Sequence, residues 1–272
     1  MKPFLIYLGL PRAGSTWLHG QLNARGDCNL GKGKEHFYFQ GFASRSDRSV
    51  EQYWEEYKQA AKSDYIVLLG DITPSNGYAT LEQLLEYKSH LDELGFQGKP
   101  VMTLRDPITQ VLSMTQFQKS INSSSMTLVD GYIKSYFEGT ASFNEQPLNA
   151  EVVLRDGISA FENLSTKPRR TIPTWEETIS NYLTVFGEVY IQFFEEMFCE
   201  EETKLLQSWL GLEYMPMNYE QKVFSFPLPN ELTTEDKKII FNNYPRLKVN
   251  YDYAVGVWGQ DKINSLWFNP YK

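Results

Sequence analysis

The stretch from Phe4 to Leu22, FLIYLGLPRAGSTWLHGQL, constrains this chain more than any other. Its first five residues form a short apolar run of the kind that makes a buried strand. Gly9 to Gly14 reads as a turn, and Ser15, Thr16 and Trp17 open a helix that continues through Leu18 and Leu22. A strand, a glycine-bounded turn and a helix start together make a cradle for an anion. The first N–H groups of a helix have no intrahelical acceptor, and the aligned peptide dipoles add partial positive charge at the same end. Glycine lets the main chain approach an anion where a Cβ would collide. Arg12 and two hydroxyls crowd this one helix start, which favours a ligand over a plain connection.

The spacing Gly9-Leu-Pro-Arg-Ala-Gly14-Ser15-Thr16 is nearly that of a Walker A loop, but Ser15 occupies the lysine position and Arg12 is the loop's cation. A Walker lysine reaches the β- and γ-phosphates, so its replacement counts against ordinary ATP or GTP hydrolysis. Hydroxyls and one cation suit a single 5′-phosphate that carries a small transferable group. The segment Leu10 to Leu18, LPRAGSTWL, resembles the 5′-phosphosulfate loop of sulfotransferases that use 3′-phosphoadenosine 5′-phosphosulfate (PAPS). The resemblance implies that Arg12, Ala13, Gly14, Ser15, Thr16 and Trp17 hold that nucleotide.

A second motif, Leu104-Arg105-Asp106-Pro107, follows an apolar strand-like run, and Ser113 comes eight residues after Arg105. Asp106 suits a helix N-cap and Pro107 the first helical position. Arg105 therefore stands at the carboxyl end of a strand, the edge where open α/β sheets bind ligands. An Arg fork with a nearby hydroxyl suits a phosphate. This pair resembles the 3′-phosphate site of the same family, where an Arg in an R-D-P context precedes a Ser by eight positions.

Weaker likenesses extend along the chain. Lys34-Glu35-His36-Phe37 resembles the K-E-x-H-F-F element of carbohydrate-type members, one residue short before the His and with Gln40 where an acid is often found. Gly70 to Ser75 resembles their [ED]-K-[ST]-P element, with Ile72 in place of a lysine. Val189 to Leu212 resembles a later strand and helix, and Lys222 falls where the family often has a basic loop over the 3′-phosphate and adenine. The family reading implies in-line transfer of a sulfuryl group from PAPS to an acceptor hydroxyl, leaving 3′,5′-bisphosphoadenosine (PAP), without a metal. Arg12 and the loop N–H groups would stabilise the developing charge. Glu35 is the expected general base, its pKa raised by the aromatic run that follows it, and His36 is the second candidate. His19 and His90 read as ordinary helix residues.

The chain has 272 residues, a formal net charge of −8 and only two cysteines, Cys28 and Cys199. An acidic protein is a poor non-specific nucleic-acid binder, so any anionic ligand needs a local basic pocket. Two distant cysteines make no disulfide framework. No run reads as a signal peptide or a bilayer span, and the expected compartment is the cytoplasm. The expected acceptor is a hydroxyl on a small molecule, a lipid or a sugar. Ile72 in the lysine position argues against a sulfated glycan. Oligomeric state is not legible.

Strands expected at 4–8, 65–69, 100–104 and 189–194 alternate with helices at 51–62, 81–94, 107–121, 128–137, 175–186, 200–209 and 232–244. Such alternation predicts an α/β fold, a central parallel sheet flanked by helices in the P-loop-like arrangement, as one domain over 1–272. Residues 122–174 form the expected variable, acceptor-side region. A P-loop kinase is the rival enzyme, with Val67-Leu-Leu-Gly-Asp71 as its Walker B strand. A binding protein of the same fold that has lost catalysis is the rival non-enzyme.

Overall fold

A computed structural model describes residues 1–40, 49–123, 147–157, 173–221 and 231–271. The chain packs into two compact units, each made of two segments: Met1–Arg105 with Trp175–Val223, and Asp106–Thr174 with Phe224–Lys272.

The first unit is an α/β layer structure around a five-stranded parallel sheet. Its strands are β1 (Lys2–Tyr7), β2 (Cys28–Asn29), β3 (Leu68–Asp71), β4 (Phe96–Leu104) and β5 (Tyr190–Phe193), in the order β2-β3-β1-β4-β5. The registers run Phe4↔Leu69 and Ile6↔Asp71 on one side of β1, and Ile6↔Pro100 and Tyr7↔Val101 on the other. Each parallel pairing requires a crossover, and the flanking helices provide the cover. They are α1 (Ser15–Asn23), α2 (Val50–Ala61), α3 (Leu81–Glu93), α6 (Trp175–Phe186) and α7 (Glu200–Trp209).

Period-two alternation along β1 feeds two layers. Leu5 and Tyr7 join Trp17, Leu18 and Leu22 of α1 and Leu206 of α7 in one buried cluster. Phe4 turns the other way, where its ring meets Tyr57 of α2, Tyr87 of α3 and Phe96 of β4 at centroid distances of 4.8, 6.3 and 5.9 Å. Helix α2 supplies this layer because Tyr53, Trp54 and Tyr57 fall on one face, and a Ser49–Gln52 capping box starts it. Thr80 and Gln83 start α3 in the same way.

The second unit is helical over its described residues. It contains α4 (Pro107–Ser123), the short α5 (Ala150–Val152), α8 (Thr234–Asn243), α9 (Pro245–Trp258) and α10 (Gln260–Leu266). Asp106 caps α4 as expected: Oδ1 accepts from the amides of Ile108 and Thr109 at 2.8 and 3.1 Å, and Oδ2 accepts from the amide of Phe268. The aromatic tail is helical where the sequence suggested only a convincing helix ending at 244. Pro245 sits in the first turn of α9, where a missing N–H costs nothing.

Two expected strands moved. The run at 65–69 begins as a strand only at Leu68, because the Tyr65 and Val67 side chains lie at the surface, 71% and 39% exposed. Strand β4 begins at Phe96, four residues before Pro100, paired with Lys2 of β1. The expected helix at 128–137, most of the variable region and Lys222 lie outside the described residues.

Candidate functional site

The anion cradle forms at the carboxyl edge of the central strand. Beyond Tyr7, the chain keeps pairing with β4: Leu8 N donates to Val101 O at 2.8 Å, Thr103 N donates to Gly9 O at 2.9 Å, and Leu10 N donates to Thr103 O at 3.2 Å. The buried Tyr7 hydroxyl then donates to the Ala13 carbonyl at 3.0 Å, tying the far side of the turn back to the strand beneath it. Burial raises the Tyr7 pKa far above its ordinary value, so this phenol stays a proton donor.

Two glycines are required here. Gly9 has φ of +102°, and a Cβ on it would lie 2.4 Å from the Pro74 carbonyl oxygen. Gly14 has φ of +84° and serves as the N-cap of α1, with a Cβ position 2.6 Å from Met197 Sδ. Arg12 also takes a left-handed conformation, at φ of +64°. No side chain caps α1, and no acidic residue lies in its first turn. The helix therefore presents its amides and the positive end of its dipole without a carboxylate to oppose an anion. Ser15 and Trp17 are buried, and Trp17 Nε1 donates to the Asn218 carbonyl at 3.0 Å.

Arg105 joins this cradle from the end of β4. Its Nη1 donates to the Arg12 carbonyl at 2.5 Å, and its guanidinium lies 4.2 Å from the centroid of the Phe194 ring. Arg12 and Arg105 thus share one sheet edge. Ser113, the expected partner of Arg105, lies in α4 of the second unit and is partly buried.

The Lys34–His36 segment belongs to the first unit. Lys34 Nζ pairs with Glu35 Oε1 at 2.5 Å, and the Glu35 side chain keeps 31% of its exposure. The enclosure by aromatic residues expected from the sequence is not what Glu35 meets; its immediate neighbour is an ammonium group. His36 is fully buried. Its Nε2 donates to the Leu30 carbonyl at 2.9 Å, and its backbone N–H donates to Thr73 Oγ1 at 2.7 Å.

Two features here were not expected from the sequence. His19, in the second turn of α1, lies within electrostatic reach of Lys34, Glu35 and His36, and its pKa falls to about 4. Burial is the main cause, Lys34 and His36 add to it, and Glu35 opposes it. No local pattern links residue 19 to 34–36; only the fold does. The other is a polar knot at the end of β3. Asp71 is fully buried and accepts from Thr73 Oγ1 at 2.5 Å and Tyr53 Oη at 3.1 Å. Tyr53 and Tyr87 share a hydroxyl hydrogen bond of 2.7 Å. The unusual Asp-x-Thr pair in Asp71-Ile72-Thr73, with both polar residues on one face of an extended segment, was the available signal.

Among the described residues, no group of three or more His, Cys, Asp or Glu side chains is placed to hold a metal ion. No helix among them is long and apolar enough to cross a membrane.

In fold, the chain is similar to a sulfotransferase from Alicyclobacillus acidocaldarius, with a TM-score of 0.53 over 92% of this chain and 95% of that one, at 14% sequence identity. No family model matches the sequence, and no curated protein matches it. The α/β architecture, with its parallel five-stranded sheet, is therefore shared with that protein.

Proposed function

We propose that this protein transfers a sulfuryl group from PAPS to an acceptor hydroxyl. The observation that carries the reading is the meeting of both anion motifs at one sheet edge, with Arg105 bonded to the carbonyl of Arg12 over an uncapped helix start. The sulfotransferase fold supports it. The donor brings a sulfuryl group activated as a phosphosulfate anhydride, and PAP is the leaving group. The chain's residues supply the rest of the chemistry.

Amides at the start of α1, with Arg12, would hold the 5′-phosphosulfate end, and Ala13 to Trp17 provide the main chain of that grip. Arg105, at the same sheet edge as Arg12, would add its charge to the grip on a phosphate. Preorganised donors of this kind stabilise charge that grows during transfer, because their orientation is fixed before reaction. In our reading Glu35 takes the acceptor proton. It keeps solvent access, and Lys34 Nζ pairs with its Oε1 at 2.5 Å. His36 is the less accessible candidate, since its ring is wholly buried. Ser113 and Lys222 remain proposed nucleotide contacts on the strength of the sequence resemblance alone. The acceptor class, a hydroxyl on a small molecule, lipid or sugar, is likewise a proposal, as is a cytoplasmic site of action.

The kinase alternative asks Asp71 to reach a nucleotide-bound magnesium ion. Its carboxylate is instead enclosed and bonded by Thr73 and Tyr53, which weakens that reading. The deciding experiment has two arms. PAP should raise the melting temperature where Mg-ATP does not, and labelled PAPS should give sulfated product with a panel of hydroxyl acceptors. Selective stabilisation by Mg-ATP would overturn the assignment. Nucleotide binding without transfer to any acceptor would leave a binding protein of this fold.

A further inference from the structure

We propose that Thr73 is a positioning residue for Glu35, acting through the main chain of His36. The inference rests on the reading of Glu35 as the base, and it assigns a role to the buried knot at the end of β3.

The geometry forms a relay of single bonds. Asp71 Oδ2 accepts from Tyr53, while Oδ1 accepts the Thr73 hydroxyl proton at 2.5 Å. That donation fixes the hydroxyl rotor and turns an oxygen lone pair away from Asp71. The lone pair accepts the His36 N–H at 2.7 Å. A hydroxyl has one proton to give, so a carboxylate on one side obliges it to act as an acceptor on the other. The Glu35–His36 peptide unit is thereby tied to the central sheet, because Asp71 pairs in register with Ile6 of β1.

The His36 ring supplies a second anchor. It is wholly buried, Nε2 donates to Leu30 O at 2.9 Å, and a Cβ on Gly31 would lie 2.6 Å from the ring. His36 is therefore a peg held at its backbone and at its ring. The residue before it, Glu35, projects a carboxylate that is still one-third exposed. A reactive side chain on a loop gains precision when the neighbouring residue is locked into the core, since displacements near 1 Å at a reacting group cost about a hundredfold in rate.

The test compares wild type, Thr73→Val and Thr73→Ser in the full chain, each also with Glu35→Gln. Thr73→Val keeps the shape and removes the hydroxyl. We expect its turnover to fall roughly ten- to a hundredfold, with PAP affinity nearly unchanged. Thr73→Ser should restore most of the loss. In the Glu35→Gln background, Thr73→Val should cause no further fall; an additive loss would show that Thr73 acts by another route. Amide exchange reads the anchor without any activity. The wild-type His36 amide should exchange as slowly as the sheet amides, and Thr73→Val should release it while Thr73→Ser should not. Fast exchange of that amide in wild type overturns the proposal even if Thr73→Val fails to fold. Wild-type turnover in Glu35→Gln with a protected His36 amide would instead remove Glu35 as base, and with it the catalytic purpose of the anchor, while the anchor stood.

Discussion

Arg105 Nη1 donates to the main-chain carbonyl of Arg12 at 2.5 Å. The two residues come from separate motifs, one after β1 and one after β4, and the adjacency of those strands brings them together. The contact is to backbone, so it holds the left-handed bend at Arg12 whatever that side chain does. Phe194, just after β5, backs the guanidinium, which leaves the fork oriented before any ligand arrives.

Arg105→Ala should therefore weaken PAP binding by about 1.5–3 kcal/mol, the range for a lost charged hydrogen bond. Titration calorimetry would read this as a loss of roughly ten- to a hundredfold in affinity. Arg105→Lys should recover only part of it, because an ammonium keeps the charge but lacks the planar fork over Phe194. Unchanged affinity in Arg105→Ala would remove this residue from the nucleotide site.

Gly9→Ala should damage the cradle through its backbone. An alanine there must hold φ near +102° and place its methyl 2.4 Å from the Pro74 carbonyl oxygen. Strain of this kind costs on the order of 1–3 kcal/mol, and relief by shifting the turn would misplace the α1 amides. Calorimetry should show a melting temperature lower by about 3–10 °C together with weakened PAP binding. Retention of both would mean that the turn is pliable.

The cradle was legible in the sequence because every part of it is local. Gly9, Gly14 and Ser15 state their backbone roles within seven positions, and Asp106-Pro107 announces α4 as plainly. The sheet order was not legible. Strand β2 is two residues long, Cys28–Asn29, and exists only because β3 lies beside it. Helix α9 was missed for a different reason. Leu247, Tyr251 and Ala254 carry a helical repeat and are buried, but Pro245 reads as a break and the aromatic residues on every side blur that spacing. The two motifs each mark a strand end, but the contact of Arg105 with Arg12 depends on β1 lying beside β4, and the neighbourhood of Glu35 depends on Thr73 and His19, which approach it from distant parts of the chain.

His19 makes stability depend on pH in a definite direction. Its pKa in the folded protein is about 4, against an ordinary value of 6.5, with burial as the largest cause. The unfolded chain therefore binds a proton that the folded chain refuses. The His19 contribution is fully present above about pH 6.5 and is lost as pH falls from there towards 4. Denaturant melts at pH 7 and pH 5 should differ by on the order of 1–3 kcal/mol from this group, and His19→Gln should flatten the difference. An equal pH dependence in wild type and His19→Gln would show that the imidazole is not shielded.

The adjacent residues Glu35 and His36 should separate stability from chemistry. Glu35 is about one-third exposed and pairs with the partly buried Lys34 at 2.5 Å. Glu35→Gln should thus change stability by about 1 kcal/mol or less, since the amide can still accept from Lys34 and the site stays open to water. Its turnover should nevertheless fall by roughly 10²- to 10⁴-fold, the usual contribution of a positioned base, with PAP affinity preserved. His36→Ala removes a wholly buried ring and leaves the Leu30 carbonyl without the ring's N–H, which should cost about 2–4 kcal/mol of stability. Its residual activity, measured on the fraction that remains folded, should exceed that of Glu35→Gln, because loss of the ring loosens the segment but leaves both the carboxylate and the Thr73 bond to the backbone in place. The reverse ranking, with His36→Ala the less active of the two in the folded state, would make the imidazole the proton acceptor and reduce Glu35 to a partner for Lys34.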